Sequence, residues 1–574
     1  MKMKTIRLFL YENMTAFALG AGNFLMLFLA LIHYKYGMVP HLANMDPQIG
    51  STVKKLYFAF VAVMLLFEFA VIGLMFAKKV RVSLEKLAVC TVALFGLIFM
   101  FFLPPLSAPD EDAHYITSYA LSDRLMFTDS EDDDGYVYMR RSDTQVALHR
   151  HTGHGDYQTL IQGLFDRNVD SEMVPCNMKR EDIIFWAFLP QAVGMTVSRL
   201  LGFGQINMMM TGRLFNLAFF ILMLALAMKR MPKSGKWILF LISMFPMTLE
   251  QISSLSYDAF VFGLSFYFIA IVMDLAFEKK TITNKDIVLM IAVMAILAPV
   301  KVIYGFLSFL CFLIPREKFG TKKKYIIVIV CMVIAVSATI LISQGNRFSQ
   351  YVAGSNNTLD MPENEENPLS GREEAEQYAQ LQTENGTQPV QPKVLYTFSD
   401  ILKNPKLAVL IWGNTIRLQG YVYMEQMFGT YLGWLNPNFK VPSIVIVGII
   451  ILFLTTFVQM EGEKVPTYRQ KALYSAVFLI VATLSCLFML VAHTENTSSF
   501  CMGVQGRYFL PALPLLPYVF RNHTFVRKKD GKSGANERNF NLIRIWCASA
   551  LVLLAVIAVY ERIIAAPGSN ILPG

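Results

Sequence analysis

An all-α polytopic membrane protein is the fold class this sequence predicts, and three observations predict it. The 574 residues are 55% hydrophobic and only 16% charged, where soluble chains carry about 25% charged residues, and the mean hydropathy is +0.45. Apolar runs of roughly 20 residues, the length that crosses a hydrocarbon core about 30 Å thick, recur along the chain. The charges are sorted by sign. Residues 105–182 carry 16 acidic against 7 basic residues and 344–404 carry 9 against 4, although the whole chain is net +9. Seven cysteines in this length are too sparse for a disulfide-stapled secreted fold.

The elements follow in order. Lys2, Lys4 and Arg7 precede the first run, 16–34, which lacks a small-x-small cleavage site and reads as a retained anchor. With the N-terminus cytoplasmic, runs at 16–34, 56–77 and 87–104 place the acidic segment 105–182 outside. Residues 183–202 contain Pro190 and Arg199 and read as an interfacial helix in the outer leaflet. The run 206–228 then returns the chain to the basic segment Lys229–Lys236. Runs at 237–253 and 257–277 lead to Lys279, Lys280 and Lys285. Segment 286–314 has basic flanks on both sides, with Pro299 and Lys301 at its middle, so two short helices or a re-entrant pair fit it. Runs at 325–343, 441–459, 472–492, 508–520 and 542–560 complete about 11–13 transmembrane helices with two external loops. The second loop, 344–404, is polar and poor in aromatic residues, the composition of a solvated flexible insert. Basic residues thus recur at the ends of apolar runs, the positive-inside pattern. They are not gathered on one surface as nucleic-acid binding requires. The lipid bilayer is the expected partner and nucleic acid is not.

Ionisable residues at the outer face are the candidates for chemistry, because such groups beside a membrane are costly unless solvated or paired. Asp110, Glu111 and His114 lie in Pro109-Asp110-Glu111-Asp112-Ala113-His114, directly after the third run. A carboxylate there could act as a general base or hold a divalent cation, with His114 as a further ligand or hydrogen-bond partner; the alternative is a simple polar stop. Arg507 and Tyr508 stand where an outer loop enters a span, and arginine suits bidentate binding of phosphate oxygens; both residues also suit a membrane edge. Lys301, with Tyr304, must snorkel or find a partner. Asp258 begins a span from the outer side and Arg213 lies inside an apolar run, either as functional groups or as a helix cap and a buried ion pair. His149, His151 and His154 are too loosely spaced for a good metal site, and Glu131–Asp134 reads as a solvated surface. Cys176 and Cys501 are the only external cysteines, and an oxidising exterior would allow them to pair. No Walker loop, Rossmann fingerprint or G-x-S-x-G elbow appears.

PPLSAPDEDAH at 104–114 and VQGRYFLPALP at 504–514 carry a specific resemblance, and FLPQAVG at 188–194, GRLFN at 212–216, SSLSYD at 253–258 and PVKVIY at 299–304 support it. In this order they resemble a bacterial polytopic membrane family known as domain of unknown function 2142, over roughly 87–520. That family is similar to the GT-C glycosyltransferases, which take sugars from polyprenyl-phosphate donors on the outer face. The resemblance implies a GT-C-like membrane domain over 87–520, a transmembrane hairpin added at 1–86, and a basic loop with a last helix at 521–574. It departs from GT-C enzymes in one respect: their acidic loop follows the first span, whereas here it follows the third.

The resemblance further implies a sugar transferase of the bacterial plasma membrane, acting on a glycan or lipid-linked acceptor. Asp110 or Glu111 would be the catalytic base or hold Mg²⁺ or Mn²⁺, with His114 in support. Arg507 and Lys301 would bind the lipid-linked phosphate, with Tyr508, Tyr304, Asp258 and Arg213 about them. Two other readings use the same residues. One is a transporter or flippase of a lipid-linked glycan, against which the lack of repeated halves speaks; the other is a non-catalytic partner in envelope assembly.

Overall fold

The computed structural model describes residues 13–566, apart from 78–79, 81, 129, 133–134, 145–151, 354–394, 461–464, 523–525 and 528–532. Lys2, Lys4, Arg7, His149, His151 and the middle of the expected flexible insert lie outside the described residues. The chain is an all-α polytopic membrane protein. Among the described residues, eight helices are long and apolar enough to cross a membrane: Met14–Leu42, Pro47–Phe76, Glu85–Phe102, Gln205–Arg230, Asp258–Glu278, Lys322–Gly345, Tyr468–Ala492 and Glu537–Ala565.

The first three spans contain helices α1 (Met14–His33), α2 (Pro47–Phe76) and α3 (Leu84–Phe102). Helix α2 starts where Asp46 accepts from the backbone N–H of Gln48 at 2.8 Å and Pro47 takes the first helical position, which leaves few orphan donors. The acidic loop then folds rather than dangling. It holds α4 (Glu111–Leu125), the antiparallel strands β1 (Tyr136–Arg140) and β2 (Met173–Lys179), and α5 (His154–Gly163) between them. Buried pairs fasten it: Arg199 donates to Asp123 at 2.5 Å and Arg140 to Asp143 at 2.6 Å. Glu131, expected on a solvated surface, instead accepts from Arg124 at 2.9 Å and Arg180 at 2.8 Å.

Segment 183–202 forms a 3-10 turn and then α6 (Leu189–Leu200), which packs on α7 (Gln205–Arg230) and leaves Leu189, Val197 and Leu200 exposed. The run 237–253 is a broken helix, α8 (Lys233–Ser243) and α9 (Pro246–Ile252), because Pro246 cannot continue the ladder. Helix α10 (Asp258–Met273) is buried at all 16 positions. Segment 286–314 is a pair, α11 (Asn284–Leu297) and a 3-10 helix over Val302–Leu313, joined at Pro299–Lys301. Helix α12 (Lys322–Ala353) is its mostly lipid-facing neighbour.

Helix α13 (Pro405–Phe428) was not legible in the sequence, because Asn414, Arg417, Gln419 and Glu425 interrupt its apolar pattern. Helices α14 (Ser443–Leu454), α15 (Tyr468–Ala492) and α16 (Ser533–Ala565) complete the bundle, with α16 packed on α2. The expected span 508–520 is not a regular helix. Pro511, Pro514 and Pro517 remove its N–H donors, so it runs as 3-10 turns and a short helix, Leu516–Phe520.

Candidate functional site

At the end of the bundle that carries the acidic loop, four distant segments meet: the start of α4, the start of α10, the turn at Lys301 and the 3-10 turn Gly506–Phe509. Arg507 is their common partner. Its guanidinium pairs with Asp110, lies 3.2 Å from Asp258, and donates to Gln251 at 3.0 Å and to the Pro109 carbonyl at 3.2 Å. Lys301 donates to the other Asp258 oxygen at 3.0 Å and sits over the rings of Tyr257 and Tyr508, at 4.8 and 4.4 Å. Tyr304 donates to the Tyr508 carbonyl at 3.0 Å, which fixes the turn that bears Arg507. Two cations thus face two carboxylates. The side chains of Arg507 and Asp258 are 3% exposed, Lys301 is 19% and Asp110 is 39%, so Asp110 is the member open to a ligand.

Burial raises the pKa of the Asp110 carboxyl, but Arg507, helped by His114, outweighs it and holds the group below the usual carboxylate range. His114 is 2% exposed, in ring contact with Tyr257 at 4.9 Å and Phe188 at 5.8 Å, and lies 3.7 Å from Glu181. Burial and the nearby cations Arg507 and Lys301 prevail over Asp110 and Asp258 and push it down to about 4, so the ring is neutral at pH 7. Its Nδ1 has no hydrogen-bond partner among the described residues.

Glu111 and Arg213 belong to a different arrangement. Arg213 donates to Glu111 at 2.7 and 2.6 Å and to the carbonyls of Met100, Leu103 and Pro104 at 3.2, 2.6 and 2.9 Å. That uses all five guanidinium donors. Glu111 also accepts from the backbone N–H groups of Ala108 at 3.2 Å and Leu255 at 2.9 Å. Its four lone-pair positions are then filled. The expected catalytic or metal role of Glu111 and the expected phosphate role of Arg213 therefore give way to a saturated buried pair. That pair pins the 103–111 turn to α7 and leaves Asp110 as the exposed acid.

The middle motifs act on the same scaffold. Asn216 donates to the carbonyls of Ser254 and Ser256, both at 2.8 Å, and Gln191 to that of Leu255 at 3.2 Å, so both hold the loop before Asp258. Gly194 lets α6 cross α7 closely, since a Cβ there would meet the Thr211 carbonyl at 2.5 Å. Gly506 is equally constrained: a Cβ would lie 2.2 Å from the Tyr423 carbonyl of α13.

Sequence reading missed the second layer, Gln251, Tyr257, Glu181 and the 429–441 loop. Trp434 donates to the Leu106 carbonyl at 3.0 Å, and Gly433 donates to Glu250 at 2.6 Å. Leu106, Asp110, Trp434 and Leu435 all have left-handed backbones, with φ of 67°, 59°, 56° and 54°. Non-glycine residues there cost of order 1–3 kcal/mol each, strain that clusters at ligand sites. The only sequence signal for this layer was a tryptophan beside glycine in a segment without apolar periodicity.

The donor set does not suit Mg²⁺ or Mn²⁺. Glu111 has no free lone pair, Asp110 faces a guanidinium and Asp258 lies between two cations. Among the described residues no three His, Cys, Asp or Glu side chains form a ligand set, and His154 instead lies 3.0 Å from the Ala566 carbonyl. Cys176 and Cys501 are free thiols buried in separate apolar clusters, so the expected pairing is not formed.

No curated protein and no solved structure matches the chain. A family model does, over residues 93–516, which contain every motif and every charged group of the cluster. The chain belongs to the family described as predicted membrane protein (DUF2142).

Proposed function

We propose that the protein is a GT-C-like glycosyltransferase of the bacterial plasma membrane, moving a sugar from a polyprenyl-phosphate donor to an envelope glycan or lipid-linked acceptor outside. The observation that carries this reading is the meeting of Asp110, Asp258, Lys301 and Arg507 in one charge-balanced cluster whose most exposed member is a carboxylate. The donor phosphate takes the place of Asp110 on Arg507, with Lys301 beside it. Released from the guanidinium, Asp110 becomes a stronger base and accepts the proton of the acceptor hydroxyl. The acceptor oxygen bonds to the anomeric carbon. The bond from that carbon to the phosphate oxygen breaks, and its electron pair leaves on the polyprenyl phosphate. Arg507 and Lys301 compensate the developing charge in a dry site, where such compensation is strongest. Asp258 holds both cations in register, and His114, neutral at pH 7, lies one helical turn after Asp110 against Tyr257 and Phe188.

The test uses purified full-length protein in nanodiscs with a panel of polyprenyl-phosphate sugars, scoring sugar transfer and lipid translocation separately. Asp110→Asn is expected to lower transfer by about 10²–10⁴-fold, the usual worth of a general base, with an unchanged melting temperature. Chelation by EDTA is expected to leave transfer intact. Full activity in the variant overturns the assignment, and translocation without transfer replaces it with a flippase.

A further inference from the structure

The helices outside the family match hold a second ionisable site, and the case for it does not depend on the proposed transferase. Glu68 on α2 is fully buried, and neither carboxyl oxygen has a hydrogen-bond partner among the described residues. Its level is set by ring contacts. Phe24 and Phe69 meet edge to face at 5.7 Å, which aligns residues 23–24 of α1 with 68–69 of α2. On α16, which packs along α2, Trp546 donates to the Asn23 side-chain oxygen at 2.7 Å. Trp546 therefore ties α16 to α1 at the level where α1 and α2 bring Asn23 and Glu68 together. Asn23 is also fully buried, and its amide nitrogen has no partner among the described residues. A carboxyl and an amide donor, both unsatisfied among the described residues, thus lie at one level of the apolar bundle.

Among the described residues, no cation is paired with Glu68. His33 of α1 pairs with Glu561 at 2.6 Å, beside Tyr57, near the acidic-loop end. Lys54 and Lys55 of α2, with His154 and Asp156 of α5, stand at that same end. Glu85 and Lys86 of α3 stand at the opposite end. On α16, Arg538 caps the last carbonyls of α2, donating to Leu74 at 2.8 Å and Ala77 at 3.2 Å, with Glu537 next to it. Arg544 donates to the Thr455 carbonyl at 3.0 Å, away from α2. An unpaired carboxylate at such a place costs several kcal/mol or more, whereas the neutral acid needs only ordinary hydrogen bonds.

We propose that Glu68 is an intramembrane proton-binding site. The carboxylic acid is the resting form. Its proton passes to water, and the carboxylate left behind accepts the free N–H of Asn23. Ionisable groups inside a membrane are rare and costly, which marks them as candidates for function, and this one lies in helices that the family match does not include.

The experiment is infrared difference spectroscopy on the full chain in nanodiscs, wild type against Glu68→Gln. A carboxylic C=O band at neutral pH is expected in the wild type and lost in the variant. That band should shift in D₂O and convert to carboxylate bands as pH rises. Asn23→Leu should move the conversion to higher pH, and it supplies the comparison if Glu68→Gln fails to insert. An absent acid band at neutral pH, or one that never responds to D₂O, overturns the proposal.

Discussion

Adjacent residues Asp110 and Glu111 have opposite fates, and the number of hydrogen bonds each can still make separates them. Glu111 is fully buried with every acceptor position filled by Arg213 and two backbone N–H groups, so replacing it strands a guanidinium. Glu111→Gln is expected to destabilise the protein by about 3–5 kcal/mol, the cost of breaking a buried pair. Thermal melting in detergent reads this, and Glu111→Leu with Arg213→Met should recover part of the loss. Asp110→Asn should not show that drop. His114 gives a pH signature at the same site. Its folded pKa of about 4 lies below the unfolded value of about 6.5, so the unfolded chain binds the extra proton first. The stability from neutral His114 is complete above about pH 6.5 and is lost as pH falls towards 4, up to about 3 kcal/mol in all. Melting temperature followed from pH 7 to 4.5 should fall less steeply in His114→Gln, and an identical slope would sink this reading.

At the scale of elements, the site is made by short breaks in helices rather than by helices themselves. Pro246 breaks the run 237–253 and frees α9 to bring Gln251 to Arg507. The Pro299–Lys301 break brings Lys301 to Asp258, and the 3-10 turn at 506–509 aims Arg507 inward. Gly506 sits against the backbone of α13 with no room for a methyl group, and its N–H donates to Gln426 at 2.8 Å. Gly506→Ala should push that turn away from α13, cutting transfer at least as much as Arg507→Lys and lowering the melting temperature as well. Activity and melting measured together check this, because loss of activity alone would place the effect in chemistry instead of packing.

Across the whole molecule, composition and charge order carried the membrane reading, since hydrocarbon forces polar residues into loops and charge into their ends. Spans such as 56–77, 206–228 and 257–277 were legible because each is long and predominantly apolar, with at most two charged residues in its apolar window. The paired short elements of 286–314 were legible because a lysine and a proline interrupt one. The motifs PPLSAPDEDAH, PVKVIY and VQGRYF marked the residues that later meet. Helix α13 was not legible because Asn414, Arg417 and Gln419 interrupt its apolar pattern, and the 429–441 loop has no apolar periodicity of its own. Nor could any spacing show that Glu111 is spent on Arg213 while Asp110 is held by Arg507, 397 positions away, or that Glu68 has no partner among the described residues. Sequence by itself determined where the membrane is and which ionisable residues stand near its edge. Only the tertiary structure decided which charges are satisfied and which remain open, because the state of a carboxyl in a dry interior depends on the donors that distant segments bring within 3 Å of it.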